Sequence, residues 1–304
     1  MERLYERLET EGKNEKTEAI DVCSTLEILQ LINNEDCKVA KIIKDVLPNI
    51  AAAVDMICEG FQKGGNLIYI GAGTSGRLGV LDAAECIPTF GVSAEMVQGY
   101  IAGGDKALRT PIEGCEDDGG KGRELIEQLD IGKNDTVVGI SASGSAQFVI
   151  QSLQEAKKRG AATIAVVNAS KSGLAEAADI SIEVITGAEV VTGSTRMKAG
   201  TAQKMVLNML STASMIKMGK VYGNLMVDLK ASNKKLRARA IRIFCDATGQ
   251  TEKNAEKFLD LSGGDTKLAI FMALTGYECE QAKKMLDICG GFLRNALQAA
   301  EQKV

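Results

Sequence analysis

The chain reads as an α/β protein: a doubly wound, five-stranded parallel sheet, with helices before it and a small all-helical domain after it. Three observations carry this. Short apolar runs alternate with helical stretches between residues 66 and 186, the order of repeated βαβ units. The runs at 135–141 (DTVVGIS), 163–168 (TIAVVN) and 180–186 (ISIEVIT) are dense in Val and Ile, as strands buried on both faces are. Two of the strands end in turns rich in glycine and hydroxyls just before a helix. That is the edge at which open parallel sheets hold ligands.

Taken in order, residues 17–63 read as helical. Val39, Ile42, Ile43, Val46, Leu47, Ile50, Val54, Ile57 and Phe61 recur at helical spacing. Pro48 inside this pattern predicts a kink or two abutting helices, and Gly64-Gly65 closes the segment. The first strand is 66–71, followed by Gly71-Ala72-Gly73-Thr74-Ser75-Gly76 and a helix predicted from about Arg77 to Cys86. The second strand is 95–101. The third, 135–141, ends in Ser141-Ala142-Ser143-Gly144-Ser145-Ala146, and the helix after it spans 146–159 up to Gly160. Strands at 163–168 and 180–186 follow. Thr192-Gly193-Ser194-Thr195-Arg196-Met197-Lys198 then leads into a long helix with apolar Met205, Val206, Met209, Leu210, Met215 and Ile216. Past residue 235 the texture changes to short helices at 236–247, 251–260, 265–274 and 278–289. The domains are therefore read as 1–235 and 236–304.

The start of the helix after the first strand offers unpaired N–H groups and a positive dipole end, with the hydroxyls of Thr74 and Ser75 beside Gly73. This predicts an anion site, and a phosphate suits it. Gly71, Gly73 and Gly76 also fit the dinucleotide pattern GxGxxG. That pattern wants an acidic residue closing the second strand, but Gly99-Tyr100-Ile101-Ala102 stands there, so a small phosphorylated ligand is the better reading. Ser141, Ser143 and Ser145 bring a second such turn to the same edge. One such turn alone is ordinarily a helix cap; two in one sheet point to a shared phosphate pocket. Ser194, Thr195 and Arg196, with Lys198, form a third hydroxyl-rich helix start. By spacing alone, that start is equally a capped helix with solvated cations or a further part of the pocket.

Composition narrows the chemistry. The 304 residues include no histidine, which removes Ser-His-Asp and Cys-His mechanisms and most zinc sites; carboxylates, lysines, tyrosines or water must move protons. The eight cysteines form no CxxC pair and read as reduced core thiols. A net charge of −4 without a basic block argues against nucleic acid. No apolar run reaches the length of a membrane span, and the charged N-terminus lacks an apolar signal core, so a cytoplasmic location is expected. Two carboxylates near the phosphate turns are candidates for acid and base: Glu85, towards the end of the first helix after the sheet begins, and Glu116, in the loop after the second strand. A run such as Glu113-Gly114-Cys115-Glu116-Asp117-Asp118 is otherwise an ordinary solvated loop.

Three stretches, GAGTSGRLGVLDAAEC, IAGGDKALRTPIEGCEDD and EVVTGSTRMKAGTAQKMVLNMLST, resemble the N-acetylmuramic acid 6-phosphate etherase family. The likeness runs along essentially the whole chain, from TEGKNEKTEAID through LQLINNED to LSGGDTKLAIFMALTG. It implies a sugar isomerase (SIS) fold with a ubiquitin-associated-like C-terminal domain, and a cytoplasmic homodimer that needs no cofactor, metal or nucleotide. It implies a lyase that splits the D-lactyl ether of N-acetylmuramic acid 6-phosphate into N-acetylglucosamine 6-phosphate and D-lactate, in cell-wall amino-sugar recycling. By motif position, Glu85 matches the family's proton donor and Glu116 its second catalytic carboxylate, taken as the base. One segment departs. The family reads ASGRTPY where this chain has Ala142-Ser143-Gly144-Ser145-Ala146-Gln147-Phe148. The same loop is similar to that of the related glucokinase regulatory protein, so the alternative is a non-catalytic sugar-phosphate sensor. A transcriptional regulator would need a basic helix-turn-helix, and the N-terminal segment offers none. The fold by itself also admits a sugar-phosphate isomerase.

Overall fold

The computed structural model describes residues 9–229 and 234–302; the first eight residues of the charged N-terminal stretch lie outside them. The chain divides into two compact units. One comprises the chain up to Ala84 with Ala94–Ser211, and the other Glu85–Ser93 with the chain from Thr212 onward.

In the first unit three helices precede the sheet: α1 (Thr25–Asp36), α2 (Val39–Asp45) and α3 (Leu47–Gln62). α1 opens on a capping box in which the Ser24 N–H donates to Glu27 Oε2 at 2.8 Å. Pro48 lies in the first turn of α3, where its missing N–H has no intrahelical partner to lose. The proline therefore opens a new helix, the second of the two arrangements expected. The sheet contains β1 (Leu67–Gly71), β2 (Val97–Ile101), β3 (Thr136–Ser141), β4 (Ala162–Val167) and β5 (Ile180–Glu183). All pairs are parallel, in the order β2-β1-β3-β4-β5. Every residue of β1 and β3 is buried, which is why these strands read as continuous apolar runs. Leu67 pairs with both Val97 and Thr136, so β1 and β3 end side by side.

The helices that follow the strands are α4 (Gly73–Phe90), α5 (Asp105–Arg109), α6 (Gly119–Gln128), α7 (Gln147–Lys158), α8 (Gly173–Ala177) and α9 (Lys198–Lys217), of which α4 beyond Ala84 and α9 beyond Ser211 are counted with the second unit. α4 begins at Gly73 and ends at Phe90, beyond the expected 77–86 on both sides. Its first turn folds back so closely on β1 that a Cβ on Gly76 would lie 2.7 Å from the Gly71 carbonyl oxygen and 2.6 Å from Ile101 Cγ1. The glycines fix this approach, and the turn residues between them become the first turn of the helix. α7 packs Val149 and Leu153, both fully buried, on a core with Ile68, Ile70 and Val137.

The second unit holds a small hairpin, β6 (Val221–Tyr222) and β7 (Leu225–Met226), and five helices: α10 (Lys234–Thr248), α11 (Glu252–Leu261), α12 (Thr266–Thr275), α13 (Cys279–Ile288) and α14 (Leu293–Glu301). The first four are the helices expected. α14 and the hairpin are additional. α12 is buried over residues 266–272 and forms the centre around which Phe244, Leu259, Leu286 and Leu293 gather, as a helix apolar on all sides must. The one charge it buries, Lys267, pairs with Asp228 and donates to the carbonyls of Gly219 at 3.0 Å and Gly291 at 2.8 Å, so its three protons are used. Among the described residues no helix is long and apolar enough to cross a membrane.

Candidate active site

The site lies at the C-terminal ends of β1 and β3. In a sheet of order 2-1-3-4-5 the connections from these two strands leave in opposite directions, and the gap between them admits a ligand. A cavity of about 250 Å³ opens there. From the end of β1 and the start of α4 it is lined by Ala72, Gly73, Thr74 and Ser75, and from the turn after β3 by Ser141, Ala142, Ser143, Ser145 and Ala146. This is the pairing of two hydroxyl-rich turns expected from the sequence. Ser141 Oγ accepts the Gly144 N–H at 3.1 Å, and the Ser143 and Ser145 hydroxyls lie 2.7 Å apart. Ser141 thus shapes its own turn with a lone pair, which leaves its O–H without a partner among the described residues.

The third turn divides. Thr195 lines the cavity. Ser194 and Arg196 are not in the lining, and Arg196 is exposed. The start of α9 is already occupied by the chain itself: the fully buried Glu189 carboxylate accepts the N–H groups of Lys198 at 2.9 Å and Ala199 at 3.0 Å. A carboxylate on a helix N-terminus takes the place a ligand anion would fill. Lys198 is not free either. It is buried, with its Nζ 2.7 Å from Glu35 Oε2. Burial raises the Glu35 carboxyl pKa, but the hydrogen bonds and charges of Lys198 and Lys38 outweigh it and hold the group at about 2. The α9 start is therefore a capped helix whose lysine is structural, and only Thr195 faces the cavity.

Glu116 is exposed on the short turn Cys115–Asp117 after β2 and lines the cavity with Asp117. Its loop is tethered by Arg77 of α4, which donates to the carbonyls of Leu108 at 3.0 Å and Ala107 at 2.6 Å at the end of α5. Burial, with the Glu116 charge adding to it, pushes the neighbouring Cys115 thiol up, so this cysteine stays protonated and unreactive. Glu85 lies in the part of α4 counted with the second unit, is exposed, and is not in the lining. One turn earlier, Asp82 is pushed up by burial, against hydrogen bonds from the hydroxyls of Tyr69 and Ser211. Two lining residues were not singled out from the sequence: Asp117, hidden in an acidic run, and Glu11, which no spacing connects to the sheet. Among the described residues, no three His, Cys, Asp or Glu side chains are grouped so as to hold a metal ion.

Comparison with known proteins places this site in context. The family described as the glucokinase regulatory protein N-terminal SIS domain matches residues 49–157, and the SIS domain family matches residues 118–213. The N-acetylmuramic acid 6-phosphate etherase of Clostridium beijerinckii is 51% identical over 304 residues, all of both chains. That of Glaesserella parasuis is 55% identical over 88% of each chain. Among solved structures, a phosphoheptose isomerase from Francisella tularensis superimposes with a TM-score of 0.51 at 16% identity, over 64% of this chain and all of that one, and supports the fold. At these identities, end to end, the chain belongs to the N-acetylmuramic acid 6-phosphate etherase family.

Proposed function

We propose that this chain is a lyase that splits the D-lactyl ether of N-acetylmuramic acid 6-phosphate, giving N-acetylglucosamine 6-phosphate and D-lactate in the recycling of cell-wall amino sugars. The observation that carries the chemistry is that Glu116 lines the same cavity as the two hydroxyl-rich turns. The phosphate is held by Gly73, Thr74, Ser75, Ser141, Ser143 and Ser145, with Thr195 beside them; Ser194 and Arg196 flank Thr195 in the chain, outside the lining. In the ring-opened sugar the C1 aldehyde acidifies the C2 proton. Glu116 takes that proton, Glu85 protonates the departing lactyl oxygen at C3, and a C2–C3 double bond forms. Water then adds across that bond, its hydroxyl to C3 and a proton to C2, and the sugar is restored. Two carboxyl groups in opposite protonation states suffice, consistent with a chain that has no histidine.

Incubation with N-acetylmuramic acid 6-phosphate and a D-lactate assay tests this. Wild type releases D-lactate, whereas Glu85→Gln and Glu116→Gln bind the substrate without turnover. Near-normal turnover in either variant removes that residue from the mechanism. Binding by wild type without release would instead favour the sensor reading, which end-to-end likeness to etherases disfavours. We further propose that the chain works as a homodimer in the cytoplasm, where the charge of a sugar phosphate retains it. An exposed apolar stripe, Val22 (79%), Leu26 (65%) and Leu29 (57%), supports self-association.

A further inference from the structure

Glu11 stands at the cavity with no part in the reaction above. The lining contains three carboxylates, Glu11, Glu116 and Asp117, and no lysine or arginine. A phosphate dianion placed against three carboxylates without a cation would be repelled. The lining must therefore be divided: N–H and hydroxyl donors of the two turns for the phosphate, carboxylates for the hydroxyl- and amide-bearing part of the sugar. An ionised carboxylate only accepts hydrogen bonds, so what it recognises must be a donor, a hydroxyl or an amide N–H.

Glu11 reaches the cavity on a segment outside the sheet. The turn Glu9–Glu11 is fixed by Ser170 Oγ, which donates to Glu9 Oε1 at 2.5 Å. Further along, Thr17 Oγ1 donates to the Val190 carbonyl at 2.9 Å. Thr10, between Glu9 and Glu11, is fully buried. Gly193 leaves room for the carboxylate; a Cβ there would lie 3.2 Å from Glu11 Oε2. The segment is thus anchored on both sides of Glu11, while among the described residues no side chain pairs with the Glu11 carboxylate itself. An anchored backbone with an unengaged acceptor at the cavity is an arrangement for meeting a ligand.

We propose that Glu11 is a specificity-determining residue: it accepts hydrogen bonds from a hydroxyl or amide N–H of the sugar and makes the cavity select a sugar phosphate over a bare phosphate ion. This rests on the lyase reading and deepens it. The test uses the full chain with Glu11→Ala and Glu11→Gln, checked for unchanged thermal melting, which the exposure of Glu11 leads us to expect. Four quantities are read: KM and kcat for D-lactate release, the calorimetric Kd of N-acetylglucosamine 6-phosphate, and the calorimetric dissociation constant of inorganic phosphate. Loss of a hydrogen bond to a charged acceptor should raise KM and Kd about tenfold, with the loss carried by KM rather than kcat. Inorganic phosphate should bind as well or more tightly, because a repelling charge is gone. These opposite movements separate recognition from support of the fold, which would weaken both ligands together. Unchanged KM and Kd in both variants, or phosphate weakening in parallel with them, overturns the proposal. If wild type binds both ligands but releases no D-lactate, the lyase reading falls while the two binding constants still decide the role of Glu11.

Discussion

Replacing Glu35 by glutamine tests the assignment of Lys198 to the structure rather than to the ligand. In the native chain the Glu35 and Lys198 side chains are only 4% and 3% exposed, with the pair 2.7 Å apart. A carboxyl held at about 2 instead of its ordinary 4.5 corresponds to about 3 kcal/mol of native stability. The variant leaves a buried ammonium without its countercharge, so a loss of about 3–5 kcal/mol is expected at neutral pH. The sign of the pH dependence follows from the depressed value. The contribution is fully present above the unfolded carboxyl value, near 4.5, and is lost as pH falls towards 2. Urea unfolding of wild type and Glu35→Gln should thus show a constant gap from pH 7 to pH 5 that narrows steadily below it. A gap under about 1 kcal/mol at pH 7, or one that does not narrow on acidification, would refute the pairing and return Lys198 to the list of candidate ligand cations.

Three further outcomes follow from the same geometry. Gly76→Ala pushes a methyl group into the Gly71 carbonyl at 2.7 Å; it should cost about 1–3 kcal/mol by urea unfolding and raise KM through the displaced Thr74–Ser75 turn. Asp82→Asn removes a carboxyl that burial has raised. Such a group favours the native state below its unfolded value, near 3.8, and loses that contribution as pH rises through the folded value. The melting temperature of the variant relative to wild type should therefore climb as pH rises above about 4, up to the raised folded value, and a flat difference would contradict the burial argument. Phe244→Ala empties a fully buried position whose ring stacks on Phe258 at 5.8 Å and should lower stability by about 3–5 kcal/mol in urea unfolding of the helical unit.

The strands and the two hydroxyl-rich turns were legible because their signal is local. Apolar runs such as Val137-Val138-Gly139-Ile140 announce a strand buried on both faces, and a turn such as Ser141–Ser145 shows its hydroxyls in five consecutive residues. Where the sequence reading fell short, the deciding partner lies far along the chain or the signal is weak. α14, LRNALQAAE, has too few large apolar residues to announce itself, and its small side chains Ala296 and Ala300 become buried only against a core supplied by other helices. The Lys198–Glu35 pair spans 163 residues, and nothing around either residue marks the other. Glu11 is the same case: its backbone is placed by contacts to Ser170 and Val190, not by any pattern around it.

The three glycine- and hydroxyl-rich helix starts make the point most sharply, because in sequence they look alike. What separates them is whether an internal anion already sits on the helix N-terminus. Among the described residues no carboxylate sits on the start of α4, whereas Glu189 occupies that of α9. A carboxylate on exposed N–H groups and a phosphate on the same groups satisfy one electrostatic demand, so the sequence specifies the demand without specifying what meets it. With α9 capped by Glu189 and Lys198 held by Glu35, the turns after β1 and β3 are left as the candidates for an anion, and our proposal gives its recognition to their backbone N–H groups and hydroxyls. On the proposed reading, that division leaves the lining carboxylates to the hydroxyl- and amide-bearing part of the sugar. There Glu116, as the proposed base, meets the sugar C2–H bond away from the phosphate that anchors the other end.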